Sequence, residues 1–179
     1  TKVNEGAGVL TYFGHGNTRV TDYYAGYVTD PSKGFNNSKY AAYFLYGCDV
    51  NNVYGANNEN ISFVMNNSTK RPFVIDWLIT PNKGAITVVG NSWEGFESIL
   101  SPYLQHTYER LFVADINRPM IGDLMRSVAN TTLSPLIASS ARVASIAPDN
   151  SSYNYNFTLA NVHQTVLLGD PAIILLLQS

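Results

Sequence analysis

Val9-Leu10-Thr11-Tyr12-Phe13 is a short apolar run of β-branched and aromatic residues, and Gly14-His15-Gly16-Asn17 stops it. A run with no polar alternation describes a strand covered on both faces, the usual state of a strand in a parallel sheet. Residues 40–46 (YAAYFLY) repeat the pattern and stop at Gly47, and residues 85–89 (AITVV) repeat it between Gly84 and Gly90. A fourth run, 172–177, lies near the end of the chain. The stretches between the first three are long enough for the crossovers that parallel neighbours require. Those three runs are expected to lie side by side and parallel in one sheet.

Helical patterns fill the intervals. Phe73–Ile79 reads as a short helix closed by Pro81. Residues 99–112 place Ile99, Tyr103, Leu104, Tyr108 and Leu111 near helical spacing, and 119–128 begins with Pro119 at a favoured first-turn position. Asn- and Gly-rich segments at 17–37, 51–60 and 148–156 read as loops, the last two exposed and comparatively mobile. There is no internal repeat and no domain boundary, so the expectation is one α/β domain over 1–179. Four short strands make a small sheet for this class, and only seven residues (2–8) separate Thr1 from the first strand. The segment is therefore expected to be the C-terminal portion of a larger domain whose early strands are absent.

Composition narrows the function classes. The chain has 179 residues, 45% hydrophobic, and only 13% are charged, about half the usual share. A net charge of −2 offers no electrostatic footprint for nucleic acid or an anionic membrane. One cysteine makes no internal disulfide and no paired-cysteine zinc site. No apolar run is long enough to span a bilayer. Nineteen Asn include seven that open an N-x-Ser/Thr triplet (Asn36, Asn60, Asn66, Asn67, Asn130, Asn150 and Asn156), a composition that suits a secreted or cell-surface protein as well as one merely rich in loops.

The single thiol has a place in this plan. In an open parallel sheet, functional groups collect at the carboxyl ends of the strands. His15 and Cys48 follow the first and second strands, and Ser92 and Trp93 follow the third. A thiolate attacking a carbonyl carbon needs a proton donor for the leaving amine, which a nearby His supplies. The developing oxyanion needs backbone N–H donors. Gly16 lets its N–H approach closely, and the N–H of Cys48 is a natural second donor. Asp49 is expected to cap a turn, His106 to sit on a helix, His163 to be structural, and Asp170 to hold the turn into the last strand. Loop carboxylates such as Asp22, Asp30 and Glu59 show no ligand spacing for a cation. No metal or other cofactor is called for.

Taken in order, these segments resemble the gingipain family of cysteine peptidases. Residues 8–17 (GVLTYFGHGN) are similar to its histidine motif and 43–51 (YFLYGCDVN) to its cysteine motif, at a similar separation. Residues 81–89 (PNKGAITVV) resemble its next strand, and Leu167-Leu168-Gly169-Asp170-Pro171-Ala172 its close. The resemblance implies a caspase-like three-layer α/β sandwich with a mostly parallel sheet. It implies endopeptidase chemistry, with Cys48 as nucleophile, His15 as general acid, and Gly16 and Cys48 N–H groups at the oxyanion. Ser92 and Trp93 fall where the family builds a wall of its specificity pocket. Gly47 stands where the family usually has Ala. The family's early strands, with the acidic residue that supports the histidine, have no counterpart here. Polypeptide is the expected substrate, and a companion chain or the absent N-terminal portion the expected partner at the open sheet edge. The alternative is a non-catalytic surface module that keeps the fold for binding. An α/β-hydrolase reading fails for want of a G-x-S-x-G elbow.

Overall fold

A computed structural model describes residues 1–23, 26–53, 71–113, 119–143 and 150–175. The chain divides into two compact units, one built from 1–95 with Thr165–Asp170, the other from Phe96–Gln164 with Pro171–Leu175.

The first unit holds the sheet. After a one-turn helix α1 (Lys2–Glu5) come β1 (Val9–Phe13), β2 (Ala41–Tyr46), helix α2 (Phe73–Ile79), β3 (Ala85–Asn91) and β4 (Thr165–Gly169). The strands stand in the order β1-β2-β3-β4. β1 pairs with β2 and β2 with β3 in parallel, as their unbroken apolar character predicts, and β4 lies antiparallel to β3. Every residue of β2 is buried. Ala41, Tyr43 and Leu45 join the core that α2 supplies with Phe73, Val74 and Trp77. The Trp77 ring meets Phe35 edge-on at 4.6 Å and Tyr43 at 4.9 Å, and its Nε1–H donates to Gly26 O at 2.8 Å. Burial pushes the Tyr43 phenol well above its ordinary range.

Asp76 fixes the loop before β2 to α2. Its side chain is 0% exposed and accepts from the Thr29 N–H at 3.0 Å, from the Thr29 hydroxyl, and from Arg71 at 3.4 Å. Removing the carboxylate unties the exposed Thr29 and the half-buried Arg71 from α2. Asp76→Ala is expected to lose about 1–2 kcal/mol of stability, read as a lower urea midpoint with an unchanged slope.

The second unit is helical: α3 (Glu97–Tyr108) running into a π-helical turn (Glu109–Val113), then α4 (Ile121–Val143) and α5 (Asn150–Gln164). Phe96 and Phe157 stack edge-on at 5.0 Å, and His106 Nδ1 lies 3.0 Å from Thr132 Oγ1, tying α3 to α4.

Several expectations are corrected here. The run 172–177 is not the last strand; its described part caps α4 instead. Pro171 O and Ile173 O each accept from the first turn of α4, from Gly122 and Ile121 at 2.9 Å, satisfying N–H groups that a helix start leaves orphaned. The strand is Thr165–Gly169, which precedes Asp170, so that residue follows the last strand rather than leading into it. The helix expected over 119–128 begins at Ile121 and runs to Val143, through Pro135. The 148–156 loop is helical from Asn150 onward. The 51–60 loop opens with Asn51 and Val53 buried, and its residues 54–60 lie outside the described ones. The helix expected over 99–112 is α3 with its π-helical continuation, two residues earlier at its start.

Candidate active site

Register places the site. Phe13 pairs with Tyr46, and the Gly14 N–H continues the ladder to Tyr46 O at 3.1 Å. His15 and Cys48 each lie two residues past that pair, so their backbones emerge level from neighbouring parallel strands. The side chain of Val50, fully buried, packs beneath this rim and touches three strand-end glycines. A Cβ built on Gly16, Gly47 or Gly90 would stand 2.6, 3.3 or 3.1 Å from its methyls. The rim is thus a sheet edge stripped of side chains around one buried valine.

Cys48 opens a tight turn in which Asp49 takes φ 56°, and the Asn52 N–H donates to Asp49 O at 3.0 Å. Asp49 therefore shapes a turn, as expected. The segment after β3 runs beside this turn: Asn51 N–H donates to Asn91 O at 2.9 Å and Asp49 N–H to Trp93 O at 3.0 Å. Asn51 Nδ2 reaches Val166 O at 2.9 Å and anchors the turn to β4. Two residues past Trp93, the Gly95 N–H lies 3.4 Å from the half-buried Cys48 Sγ, which in turn stands 3.7 Å from Gly95 O.

His15 is exposed and held through its backbone. Asp22 Oδ2 accepts from its N–H at 3.2 Å, while Tyr12 donates its hydroxyl to His15 O and accepts from the Asp22 N–H at 3.0 Å. Burial raises the Tyr12 phenol above its ordinary range; the Asp22 N–H pulls it back and the Asp22 charge adds to the rise. The phenol therefore stays a donor across neutral pH. Among the described residues the imidazole makes no hydrogen bond, to Cys48 or to any other group. Gly16 faces Thr21 as an isolated antiparallel pair, flanked by the His15–Asp22 and Asn17–Val20 bonds, so its own N–H stays out of that ladder. The N–H groups of Gly16 and Cys48 likewise have no acceptor among the described residues.

Ser92 is half-buried, and the Trp93 indole is 57% exposed. The structure thus brings His15, Gly16, Cys48 and the 91–95 segment to one end of the sheet, all within the first unit. His106 and His163 belong to the helical unit, His106 on α3 and His163 exposed at the end of α5. Asp30 caps the 3-10 turn Pro31–Lys33 through Ser32, which lowers its carboxyl. Glu59 lies outside the described residues. Among the described residues no three His, Cys, Asp or Glu cluster as a metal site would need. Sequence reasoning did not single out Tyr12, Asp22 or Gly95 for these contacts. Gly95 acts through its backbone, which leaves no residue-type signal.

The sheet order, the crossovers and the paired turns define a caspase-like α/β fold. The profile of peptidase family C25 matches residues 1–176, and the chain belongs to that family of cysteine peptidases. Among solved structures, a complex of the pro- and mature domains of Porphyromonas gingivalis RgpB is similar at 13% identity with a TM-score of 0.67. The match covers 97% of this chain and 35% of that one. The Arg-specific cysteine proteinase gingipain R (RgpB) is similar at 14% identity and TM-score 0.63, covering 97% and 34%. The chain therefore spans about a third of the length of these neighbours. Comparison with curated proteins gave no match.

Gly47 is confined by the end of the neighbouring strand. A Cβ there would stand 2.9 Å from Gly14 O, the carbonyl leading into His15. Gly47→Ala is expected to push that peptide aside and lose about 1–2 kcal/mol. A denaturation curve and amide shifts at Gly14 and His15 check both effects.

Proposed function

We propose that this chain carries the nucleophile and the general acid of a gingipain-like cysteine endopeptidase. Cys48, its thiol proton given up to solvent, attacks the scissile carbonyl as the thiolate, and its sulfur–carbon bond forms as the carbonyl electrons move onto oxygen. Gly16 and Cys48 N–H groups receive that oxyanion. As the oxyanion collapses and the carbon–nitrogen bond breaks, protonated His15 gives its proton to the departing amine. Water then attacks the thioester, passing a proton to His15, and the carbon–sulfur bond breaks to free the acid and the Cys48 sulfur. The observation that carries this reading is the level emergence of His15 and Cys48 beside two backbone donors that have no acceptor among the described residues. Ser92 and Trp93, on the segment bonded to the cysteine turn, are proposed as one wall of the substrate cleft.

Polypeptide is the proposed substrate. RgpB, of which this chain covers a third, is described with a pro-domain. By analogy, the proposed partner is a further segment or chain laid against β1, the open edge of the four-stranded sheet. An extracellular or cell-surface location is proposed from the exposed Asn36, Asn130 and Asn156, each opening an N-x-Ser/Thr triplet, and from the sparse charge. Among the described residues no helix is long and apolar enough to cross a membrane.

The test is incubation of the chain with a set of peptidyl acyloxymethyl ketones differing at the residue nearest the warhead, followed by intact mass and peptide mapping. One adduct per chain, on Cys48, with cleavage of the matching peptide amide supports the reading. Neither adduct nor cleavage, in the chain alone or with a partner segment added at the β1 edge, assigns it to the binding-module class.

A further inference from the structure

We infer that Gly95 is a positioning residue for the Cys48 sulfur, its N–H holding the thiolate and its carbonyl holding the thiol. This rests on the reading of Cys48 as nucleophile and adds a residue to it. Gly95 N stands 3.4 Å from Sγ and Gly95 O 3.7 Å from it, so one peptide residue presents a donor and an acceptor to the same atom. While the sulfur carries its proton, the S–H points at the carbonyl. Once the proton leaves, only the N–H can bond the anion, and a hydrogen bond to a charged acceptor is about twice as strong as to a neutral one.

The residue is held for this contact. Asn91 O and Trp93 O accept from the N–H groups of Asn51 and Asp49, so the segment follows the cysteine turn in steps and delivers Gly95 to its first residue. The imidazole of His15 makes no hydrogen bond to the sulfur. Ionisation of the resting thiol thus has its partner in the backbone of the β3 extension, which leaves His15 for the leaving group. The same segment carries Trp93, so a substrate that moves the indole also moves the amide that orients the nucleophile.

The experiment uses the fact that Cys48 is the sole cysteine, so iodoacetamide reads it alone. Gly95 is not among the glycines of positive φ, and Gly95→Ala keeps both backbone groups while Gly95→Pro removes the N–H. At about pH 6, Gly95→Pro is expected to alkylate about tenfold more slowly than the parent, and Gly95→Ala within about twofold of it. At about pH 10 the Gly95→Pro deficit should disappear or reverse, since a thiolate without its hydrogen-bond donor is the stronger nucleophile. An equal deficit at both pH values means access alone has changed, and an equal rate at pH 6 means the N–H does nothing; either result overturns the inference. A measurement in the unaltered chain covers the case in which Gly95→Pro does not fold. The Gly95 amide proton should move by several tenths of a ppm as the thiol ionises and lose that dependence after alkylation. A pH-invariant Gly95 amide overturns it as well. These readouts involve no peptide cleavage, so a chain that shows them yet cleaves nothing refutes the peptidase reading and not the contact.

Discussion

Cys48→Ala is expected to reduce peptide cleavage by about 10⁴-fold or more, to the level of background hydrolysis. Ser92, the neighbouring hydroxyl, lies between Asn91 and Trp93, whose carbonyls bond the cysteine turn, and an unactivated hydroxyl is a far weaker nucleophile than a thiolate. Because the chain has one cysteine, covalent labelling should fall to zero in the same variant, with no second thiol to confuse the count. Ala fits the half-buried site and gives up only the contact with Gly95, so the unfolding midpoint should stay near the parent's. Fluorogenic peptide assays with the parent and Cys48→Ala at matched fold content check it. Full activity in Cys48→Ala would sink the mechanism.

His15→Ala is expected to separate two steps that most thiol peptidases couple. Cleavage of an amide should fall by about 10²–10⁴-fold, because an amine leaves poorly without a proton. Hydrolysis of the matching activated ester should fall far less, since its alcohol departs as an anion. Alkylation of Cys48 should persist, because the sulfur's hydrogen bonds run to Gly95 and not to the imidazole. The fold tolerates the change: Asp22 and Tyr12 hold the backbone of residue 15, not its ring. The ratio of amide to ester kcat/KM in His15→Ala, set beside the alkylation rate, decides the matter. Equal losses in all three would make His15 the base that ionises the thiol, contrary to the proposed role.

Much of the first unit is legible in the sequence, for one physical reason. β1, β2 and β3 are short apolar runs stopped by glycine or glycine-flanked residues, as strands of a parallel sheet read, although only β2 is buried throughout and β1 is no more than half-covered. The level placement of His15 and Cys48 follows from those stops. β4 escapes the same reading because Thr165–Gly169 follows a helix without a loop to mark its start. The run 172–177 is more apolar and drew the assignment away. α4 is legible only in its first turns because Asn130-Thr131-Thr132 and Pro135 are poor helix residues. The hydroxyls of Thr131, Thr132 and Ser134 bond back to the carbonyls of Ser127, Val128 and Asn130, which satisfies them inside the helix. At the site, side-chain chemistry was readable and backbone chemistry was not. Gly95 reaches the sulfur through a peptide group that every residue possesses, and Asp22 and Tyr12 act on the backbone of residue 15, across distances set by the fold.

The valine beneath the rim has a further consequence for how this chain can change. Gly16, Gly47 and Gly90 come from three different strand ends, yet each would place an added methyl against Val50. Substitutions at the three positions are therefore not independent events. Gly16→Ala alone forces a 2.6 Å contact, whereas Gly16→Ala made together with Val50→Ala removes the atom it meets. The double variant should be more stable than the sum of the two single losses allows, a coupling of about 1 kcal/mol or more. Gly47 is only partly rescued, since its nearest obstacle is the Gly14 carbonyl. A lineage drifting at the histidine turn must therefore drift first, or at once, two residues past the cysteine.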